Sequence, residues 1–255
     1  MLSKNKIKHF NSLILNKFRQ QHQEFILEGT KSVEELLKSD FTIKEIIATA
    51  EWVQHHPLVL KAIPTEVVTD REMQQISQMK TPPGVLALVA IPTVSWKLNQ
   101  GFTLILDGIN DPGNLGTIIR TADWFGIGNI VCSHDTVDVY HPKVVQATMG
   151  SIFRVNVFYE NLESVLTTAQ QNHLTIYGAV MNGENIFSAD LKDTSALLVI
   201  GSESHGIREH LSPLLTHPIT YPKFGLKANG STAESLNAAI ATALLLGVFI
   251  PSSLS

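Results

Sequence analysis

The spacing of hydrophobic positions changes character once along this chain. Over residues 1–90, short apolar runs alternate with helical stripes. EFILEGTKSVEELL predicts a strand over 25–28 running into a helix that starts near Thr30. Thr30 and Ser32 are both candidate caps, and Ser32 with Glu35 three residues later has the spacing of a capping box. FTIKEIIAT predicts a second strand, GVLALVA a third, and TPPG (81–84) a turn between elements. IPTVSWKLNQG (91–101) carries Pro, Gly and polar residues with little periodicity, which marks a domain boundary. The division is then a first domain over 1–93, a linker over 94–101 and a second domain over 102–255.

Beyond the boundary the pattern is regular β/α alternation. FTLILD (102–107) is an unbroken apolar run, as expected of a strand covered on both faces. LGTIIRTADWFG predicts a helix, NIVC (129–132) and IFRVNVF predict strands, and NLESVLTTAQQN predicts a helix. LTIYGAV and ALLVIG predict two further strands, and STAESLNAAIATALLLGVFI a long, nearly all-apolar helix. Strands alternating with helices imply a mostly parallel α/β sheet, with ligands beyond the carboxyl ends of its strands. Three Gly- or Asn-bearing loops fall there, after 107, after 200 and after 221.

Composition narrows the class. With 44% hydrophobic and only 16% charged residues in 255, the chain can bury a core and does not read as disordered. No apolar run is long enough to span a bilayer, and the basic start lacks the unbroken apolar region of a signal peptide. The single cysteine, Cys132, allows no intrachain disulfide, and no Cys/His cluster has zinc spacing, so no metal is expected. A reducing, cytoplasmic location follows. The net charge of −4 is uneven: residues 1–95 hold 11 Lys/Arg against 10 Asp/Glu, and residues 96–255 hold 8 against 13. Residues 1–20 carry Lys4, Lys6, Lys8, Lys17 and Arg19 with no acid, an arm that a polyanion would meet first or a solvated amphipathic helix.

Three stretches carry candidate chemistry. In LDGINDPGNLGTIIRTADWFG (106–126) a strand ends at Asp107 and a helix begins near Leu115. Leu115, Ile118, Ile119, Ala122 and Phe125 form its core stripe, and Thr117, Arg120, Thr121 and Trp124 the opposite side. Arg120 can therefore hold a phosphate, face a substrate oxygen, or simply lie in a surface salt bridge. Gly108, Gly113 and Gly116 do not have the G-x-G-x-x-G spacing of a dinucleotide loop. In LLVIGSESHGI (197–207) a buried strand enters a turn bracketed by Gly201 and Gly206, with Glu203 at its tip; His205 lacks the neighbours of a triad and reads as an exposed loop residue. In ITYPKFGLKANGSTAESLNAAIATA (219–243), Ser235 and Asn237 are polar exceptions near the start of an apolar helix, where simple capping would also explain them.

Taken in order, GNLGTIIRTAD, GSESHGI and YP…SLNAAIA resemble the three motifs of the SpoU (TrmH-like) family of the SPOUT superfamily, and EFILEGTKSVEELL resembles the start of that family's N-terminal substrate-binding domain. The resemblance covers nearly the whole chain. It implies an α/β catalytic domain with a deep trefoil knot, preceded by a smaller L30e/L7Ae-like α/β domain. It implies an enzyme that uses S-adenosylmethionine to methylate a ribose 2′-hydroxyl in structured RNA, with 23S-type rRNA favoured over tRNA, and that acts as a homodimer through the catalytic domain. The site residues carried over are Asn114 and Arg120 from the first motif, Glu203 from the second, and Ser235 and Asn237 from the third. The cofactor would lie against Gly201, Ser202, Glu203 and Gly206, against Tyr221 before Pro222, and against Leu236 and Asn237. Two departures stand out: the loop between Pro222 and Ser235 is longer than the family's, a lid or RNA contact through Lys223 and Lys227 or else a neutral insertion, and SLNAAIA replaces the commoner SLNVSVA. An RNA-binding protein without catalysis and a nucleotide-dependent oxidoreductase are the competing readings; the intact polar set opposes the first and the missing glycine spacing the second.

Overall fold

The computed structural model describes residues 1–57, 59–98, 101–191, 195–225 and 233–254. The chain forms two compact units, Met1–Val94 with Asp138–Arg154, and Ser95–Val137 with Val155–Ser255. In chain order the elements are α1 (Lys4–Ser12), α2 (Asn16–His22), β1 (Glu24–Glu28), α3 (Thr30–Leu36), β2 (Ile43–Thr49), α4 (Ala50–His55), α5 (Val59–Ala62), β3 (Thr65–Val68), α6 (Asp70–Ile76) and β4 (Val85–Ala90). They continue as β5 (Thr103–Asp107), α7 (Pro112–Trp124), β6 (Asn129–Cys132), α8 (Pro142–Thr148), β7 (Asn156–Tyr159), α9 (Leu162–Gln171), β8 (Thr175–Asn185), β9 (Ala196–Gly201), β10 (His217–Thr220) and α10 (Ala238–Leu254).

The first unit is built on a four-stranded sheet of order β1-β4-β2-β3. β4 is antiparallel to both β1 and β2, and β3 runs parallel to β2. Phe10, Leu13, Ile47, Met73, Ile76 and Leu86 form its core under α1 and α6. The strand β3 carries a single buried residue, Val68, so it left no apolar run to read in the sequence. The segment Asp138–Arg154, which the sequence pattern gave no reason to separate from the second half, packs with this unit. α8 lies against β1, the Tyr140 ring stands 4.7 Å from Phe25, and the Phe153 ring 5.1 Å from Phe41.

Two local expectations are corrected here. The capping box predicted at Ser32 and Glu35 does not form: α3 is entered through Gly29 with no side-chain cap, the Thr30 hydroxyl accepts the Trp52 indole N–H at 3.1 Å, and Glu35 pairs with Lys38 and Arg154. Tertiary partners outcompeted the local bond. Nor are the five cations of the first twenty residues a free basic arm. The Arg19 side chain is 2% exposed, donates to the carbonyls of Leu13 and Ile14, and is paired with Asp138, while Lys6 is held between Glu45 and Glu66. Lys4, Lys8 and Lys17 remain exposed.

A capping box does occur at α6, where the Thr69 hydroxyl accepts the Glu72 N–H and the Glu72 carboxylate accepts the Thr69 N–H. Glu72 also accepts the Leu2 N–H at 2.8 Å. The Thr69 and Leu2 backbone bonds, with the Thr69 hydroxyl, hold its carboxyl down from 4.5 to about 2. A depressed folded-state value contributes stability that is present above pH 4.5 and lost as pH falls towards 2. The Tm gap between wild type and Glu72→Gln should therefore be widest above pH 4.5 and close on acidification. A pH-independent gap in a thermal-melt series would contradict this.

The second unit is a six-stranded sheet of order β10-β8-β9-β5-β6-β7, with every pair parallel. β5 is buried at every residue and β9 at all but its last, as central strands covered on both faces require. The strand expected over IFRVNVF contracts to β7, because Ser151–Phe153 form a 3₁₀ turn. The long terminal helix begins at Ala238, and the described residues 233–237 before it are not helical: the Asn237 side chain accepts the N–H groups of Ala239 and Ile240 and fixes the start. α10 then packs on α7. The trefoil knot that the resemblance implies depends on the path of residues 226–232, which lie outside the described residues, as does Lys227.

Candidate active site

The two central strands end side by side. Asp107, the last residue of β5, is the sheet partner of Gly201, the last residue of β9. Both strands release their loops at the carboxyl edge of the sheet, where a parallel α/β architecture places ligands. After β5, the Gly108 N–H donates to the Ser133 hydroxyl at 2.9 Å, and Asp111 caps α7 by accepting the Asn114 N–H at 2.8 Å. Pro112 occupies the first turn, where its missing N–H costs nothing.

The loop after β9 is tight. Ser202 and Gly206 exchange both backbone hydrogen bonds, at 3.1 and 2.9 Å, and Gly206 sits at φ +67, in the left-handed region that glycine enters without strain. Gly201 faces the backbone of Gly206 so closely that a Cβ there would lie 2.0 Å from the Gly206 carbonyl carbon. Only a glycine fits between β9 and the returning strand of the loop.

This loop presents Glu203 to the starts of two helices. Its Oε1 accepts from Asn114 Nδ2 (2.7 Å), from Asn237 Nδ2 (2.7 Å) and from the backbone N–H of Ala238 (3.2 Å). Asn237 Nδ2 also donates to Asn114 Oδ1 at 2.8 Å. Asn114 lies in the first turn of α7, and Asn237 and Ala238 open α10. The carboxylate therefore sits where unpaired helix N–H groups favour an anion. All three donors reach Oε1, and among the described residues Oε2 has no protein partner. The cluster unites one residue from each of the three motifs.

The other expected residues fall elsewhere. Arg120 is exposed and has no hydrogen bond or ion pair among the described residues. It is six residues past Asn114, ~9 Å along α7 and about 240° around it, so it points away from the Asn114–Glu203–Asn237 cluster. Ser235 is exposed just before α10 with no described side-chain bond, and Leu236 is 46% exposed. Tyr221 is half-buried against the exposed rings of Phe187 (5.3 Å) and Phe224 (6.4 Å). Ser202 Oγ accepts the His205 N–H at 3.3 Å, while the exposed His205 ring hydrogen-bonds to the Ser204 hydroxyl at 2.7 Å.

Reading the sequence missed a second polar group. The fully buried carboxylate of Asp107 accepts from the backbone N–H (2.8 Å) and Nε (2.6 Å) of Arg208, whose fork also reaches Asp135 at 2.7 Å. Burial pulls the Arg208 guanidinium down, and the two carboxylates more than offset it, so its pKa is raised. The Ser133 hydroxyl, then Arg208, hold Asp135 below the usual carboxylate range. The only sequence signal for this group was an apolar strand ending in a carboxylate, which by itself reads as a strand terminus. Arg208, Asp107 and Asp135 line a cavity of about 760 Å³ along with Ser202, Ser204 and Asn110.

Residues 101–247 match the model of the SpoU rRNA methylase family. The chain belongs to that family. Residues 4–87 match an MRM3-like substrate-binding domain. Among SpoU relatives, the 23S rRNA (guanosine(2553)-2'-O)-methyltransferase RlmP of Bacillus subtilis is 29% identical over 94% of both chains. A TrmH-family protein of Porphyromonas gingivalis has a structure that superposes with TM-score 0.86 over 98% of both chains at 36% identity. The AdoMet-bound rRNA methyltransferase of Sinorhizobium meliloti gives TM-score 0.86 at 26% identity, covering 100% of this chain and 97% of its own. The parallel sheet of the second unit is thus a SPOUT methyltransferase sheet, and the first 94 residues of the first unit hold the substrate-binding α/β domain that precedes it.

Proposed function

We propose that this SpoU-family chain transfers a methyl group from S-adenosylmethionine to a ribose 2′-hydroxyl of ribosomal RNA, most closely the 23S type. The observation that carries the reading is the cluster of Asn114, Glu203 and Asn237, which ties all three motif loops together at the ligand edge of the sheet. The relatives' rRNA substrates, and their coverage of both units, favour rRNA over tRNA. Among the described residues no helix is long and apolar enough to cross a membrane, and a cytoplasmic location is part of the proposal.

The residues present fit the cofactor. The Gly201–Gly206 approach leaves main chain, not side chain, facing the loop edge, and the peptide groups of Tyr221 and Leu236, which bond to no other described residue, are available to an adenosine and its ribose. The free Oε2 of Glu203 suits an ammonium or a ribose hydroxyl. When bound, S-adenosylmethionine supplies a methyl group already activated on a sulfonium. What remains for the protein is to hold the 2′-hydroxyl in line with the methyl–sulfur bond and to stabilise the charge that grows on its oxygen. Arg120 is the group for the second task. Its guanidinium keeps its proton, with a pKa above ~12, so it acts by donating to the forming alkoxide or to the adjacent phosphate. Asn114 and Asn237 hold Glu203 and the loop geometry, with Ser235 at the approach to α10.

Arg120 points away from the cluster of its own chain, which favours a homodimer. Arg120 and the 85% exposed Trp124 lie one turn apart on α7, and the packed neighbour α10 exposes Ile240 at 51%; a second copy would cover these apolar side chains. In that arrangement the Arg120 of one protomer serves the cluster of the other. The test is transfer of labelled methyl from S-adenosylmethionine to purified rRNA and to bulk tRNA, with the product mapped. A 2′-O-methyl group in rRNA alone supports the proposal. Labelled tRNA alone, or a base-methylated product, would refute it.

A further inference from the structure

The loop that carries Glu203 is fastened at its base by one residue. Its entry, Gly201, is the sheet partner of Asp107, and its exit, Arg208, donates both its backbone N–H and its Nε to the Asp107 carboxylate. Between these points Ser202 and Gly206 close the loop on itself. Asp107 is fully buried and Arg208 is its only hydrogen-bonding partner among the described residues. A buried carboxylate with a single cationic partner is a strict geometric constraint, because releasing that partner strands the charge. The free arm of Arg208 is turned to Asp135, on the loop after β6, so the fork ties together the loops following three neighbouring strands.

Because the loop is short and pinned at both ends, the height of its tip is set by its base. At that tip Glu203 must meet Asn114, Asn237 and the Ala238 N–H at once, at 2.7 to 3.2 Å. A shift of about 1 Å at the tip would break at least one of these bonds. We infer that Arg208, acting through Asp107, is a positioning residue for methyl transfer: it holds the Ser202–Gly206 loop at the height at which Glu203 bridges the starts of α7 and α10. This rests on the proposed methyl-transfer function for its kinetic consequences, but not for its structural ones. Arg208 bonds to Asp107 and Asp135 and to none of Asn114, Arg120, Glu203, Ser235 or Asn237. It acts only by where it leaves Glu203.

The experiment compares wild type with Arg208→Gln, Arg208→Lys and Asp135→Asn, each assayed well below its own melting temperature. Amide hydrogen exchange over residues 199–207 and 236–241 reads the loop directly and needs no RNA. Arg208→Gln is expected to speed exchange in both segments and to lower kcat by roughly 10- to 100-fold, the scale of a small misplacement in a reacting geometry, with less than about a threefold change in KM for RNA. Arg208→Lys, which keeps the charge and the backbone N–H, should recover part of both effects and keeps the test open if the glutamine variant fails to fold. Asp135→Asn, which cuts only the outer contact, should produce a smaller change of the same kind. In a Glu203→Gln background, Arg208→Gln should cost no more than about twofold further, since the two act as a unit. Unchanged exchange in both Arg208 variants, or losses that multiply in the double variant, would overturn the inference. A wild type that methylates no RNA, with faster exchange in Arg208→Gln, would refute the function while leaving the latch standing.

Discussion

Replacing Arg120 with alanine is expected to lower kcat for 2′-O-methylation by roughly 10²- to 10³-fold, the scale seen when one preorganised donor to a developing oxyanion is removed. The same variant should keep its S-adenosylmethionine affinity and its Tm. Arg120 is exposed on α7 and has no partner among the described residues, so its loss removes no folding contact; exposed substitutions of this kind shift stability by about 0.5 kcal/mol or less. Nor does it bond to the Gly201–Gly206 loop of its own chain, whose main chain is the cofactor's proposed seat. The decisive comparison is single-turnover methyl transfer beside calorimetric cofactor binding. A rate loss with intact binding marks Arg120 as acting in the transition state, whereas weakened cofactor binding would move it to the cofactor site. Full turnover in the alanine variant would remove it from the mechanism. Arg120→Lys should recover only part of the rate, because an ammonium lacks the planar fork that can hold an oxygen and a phosphate together.

Gly201→Ala is expected to weaken S-adenosylmethionine binding by up to about 100-fold. The added methyl would stand 2.0 Å from the Gly206 carbonyl carbon and 2.2 Å from the Ile207 nitrogen, and both are backbone atoms that cannot rotate away. Relief requires that β9 and the loop part, breaking the Ser202–Gly206 bonds. Forced insertions of one methyl into tight packing cost about 1–3 kcal/mol, and at the upper end this amounts to about 100-fold in affinity if the cost falls on the cofactor-competent conformation. Isothermal titration at a temperature where circular dichroism shows a folded chain tests this. Wild-type affinity in a folded variant would show that the loop backbone is not the cofactor's seat.

The elements of the second unit were legible where burial made them uniform. FTLILD and ALLVIG are the two central strands, and their unbroken apolar runs follow from cover on both faces. Legibility failed where tertiary contacts overrode local pattern. Ser32 and Glu35 have capping-box spacing, yet Arg154 and Lys38 take the glutamate, and the true box at Thr69 and Glu72 went unread because β3 before it is nearly unburied. Helicity before Asn237 looked continuous with α10, while capping at Asn237 was the other reading of the same residue, and the structure shows Asn237 as the cap. For the site, the motif order named Asn114, Glu203 and Asn237, which the structure brings within hydrogen-bonding distance of one another. Spacing along α7 put Arg120 on the face opposite the core, where it is exposed, and well around the helix from Asn114; what spacing did not give is that Glu203 and Asn237 gather at Asn114. The Asp107–Arg208 pair joins residues 101 positions apart, and no local pattern encodes such a partnership.

The segment Asp138–Arg154 has a practical meaning for anyone who would dissect this protein. It supplies Tyr140 and Phe153 to the aromatic packing around Phe25 and Phe41, and it carries Asp138, the partner of the buried Arg19. A fragment cut at the apparent boundary near residue 94 would leave a desolvated guanidinium without its counterion and an uncovered aromatic face on β1. Such a piece should be poorly soluble, and the complementary piece would carry an orphaned helix between β6 and β7. The substrate-binding module is therefore not a bead on a string that can be swapped between enzymes by joining ends at the linker. A functional chimera would need two exchanged stretches, transplanted together.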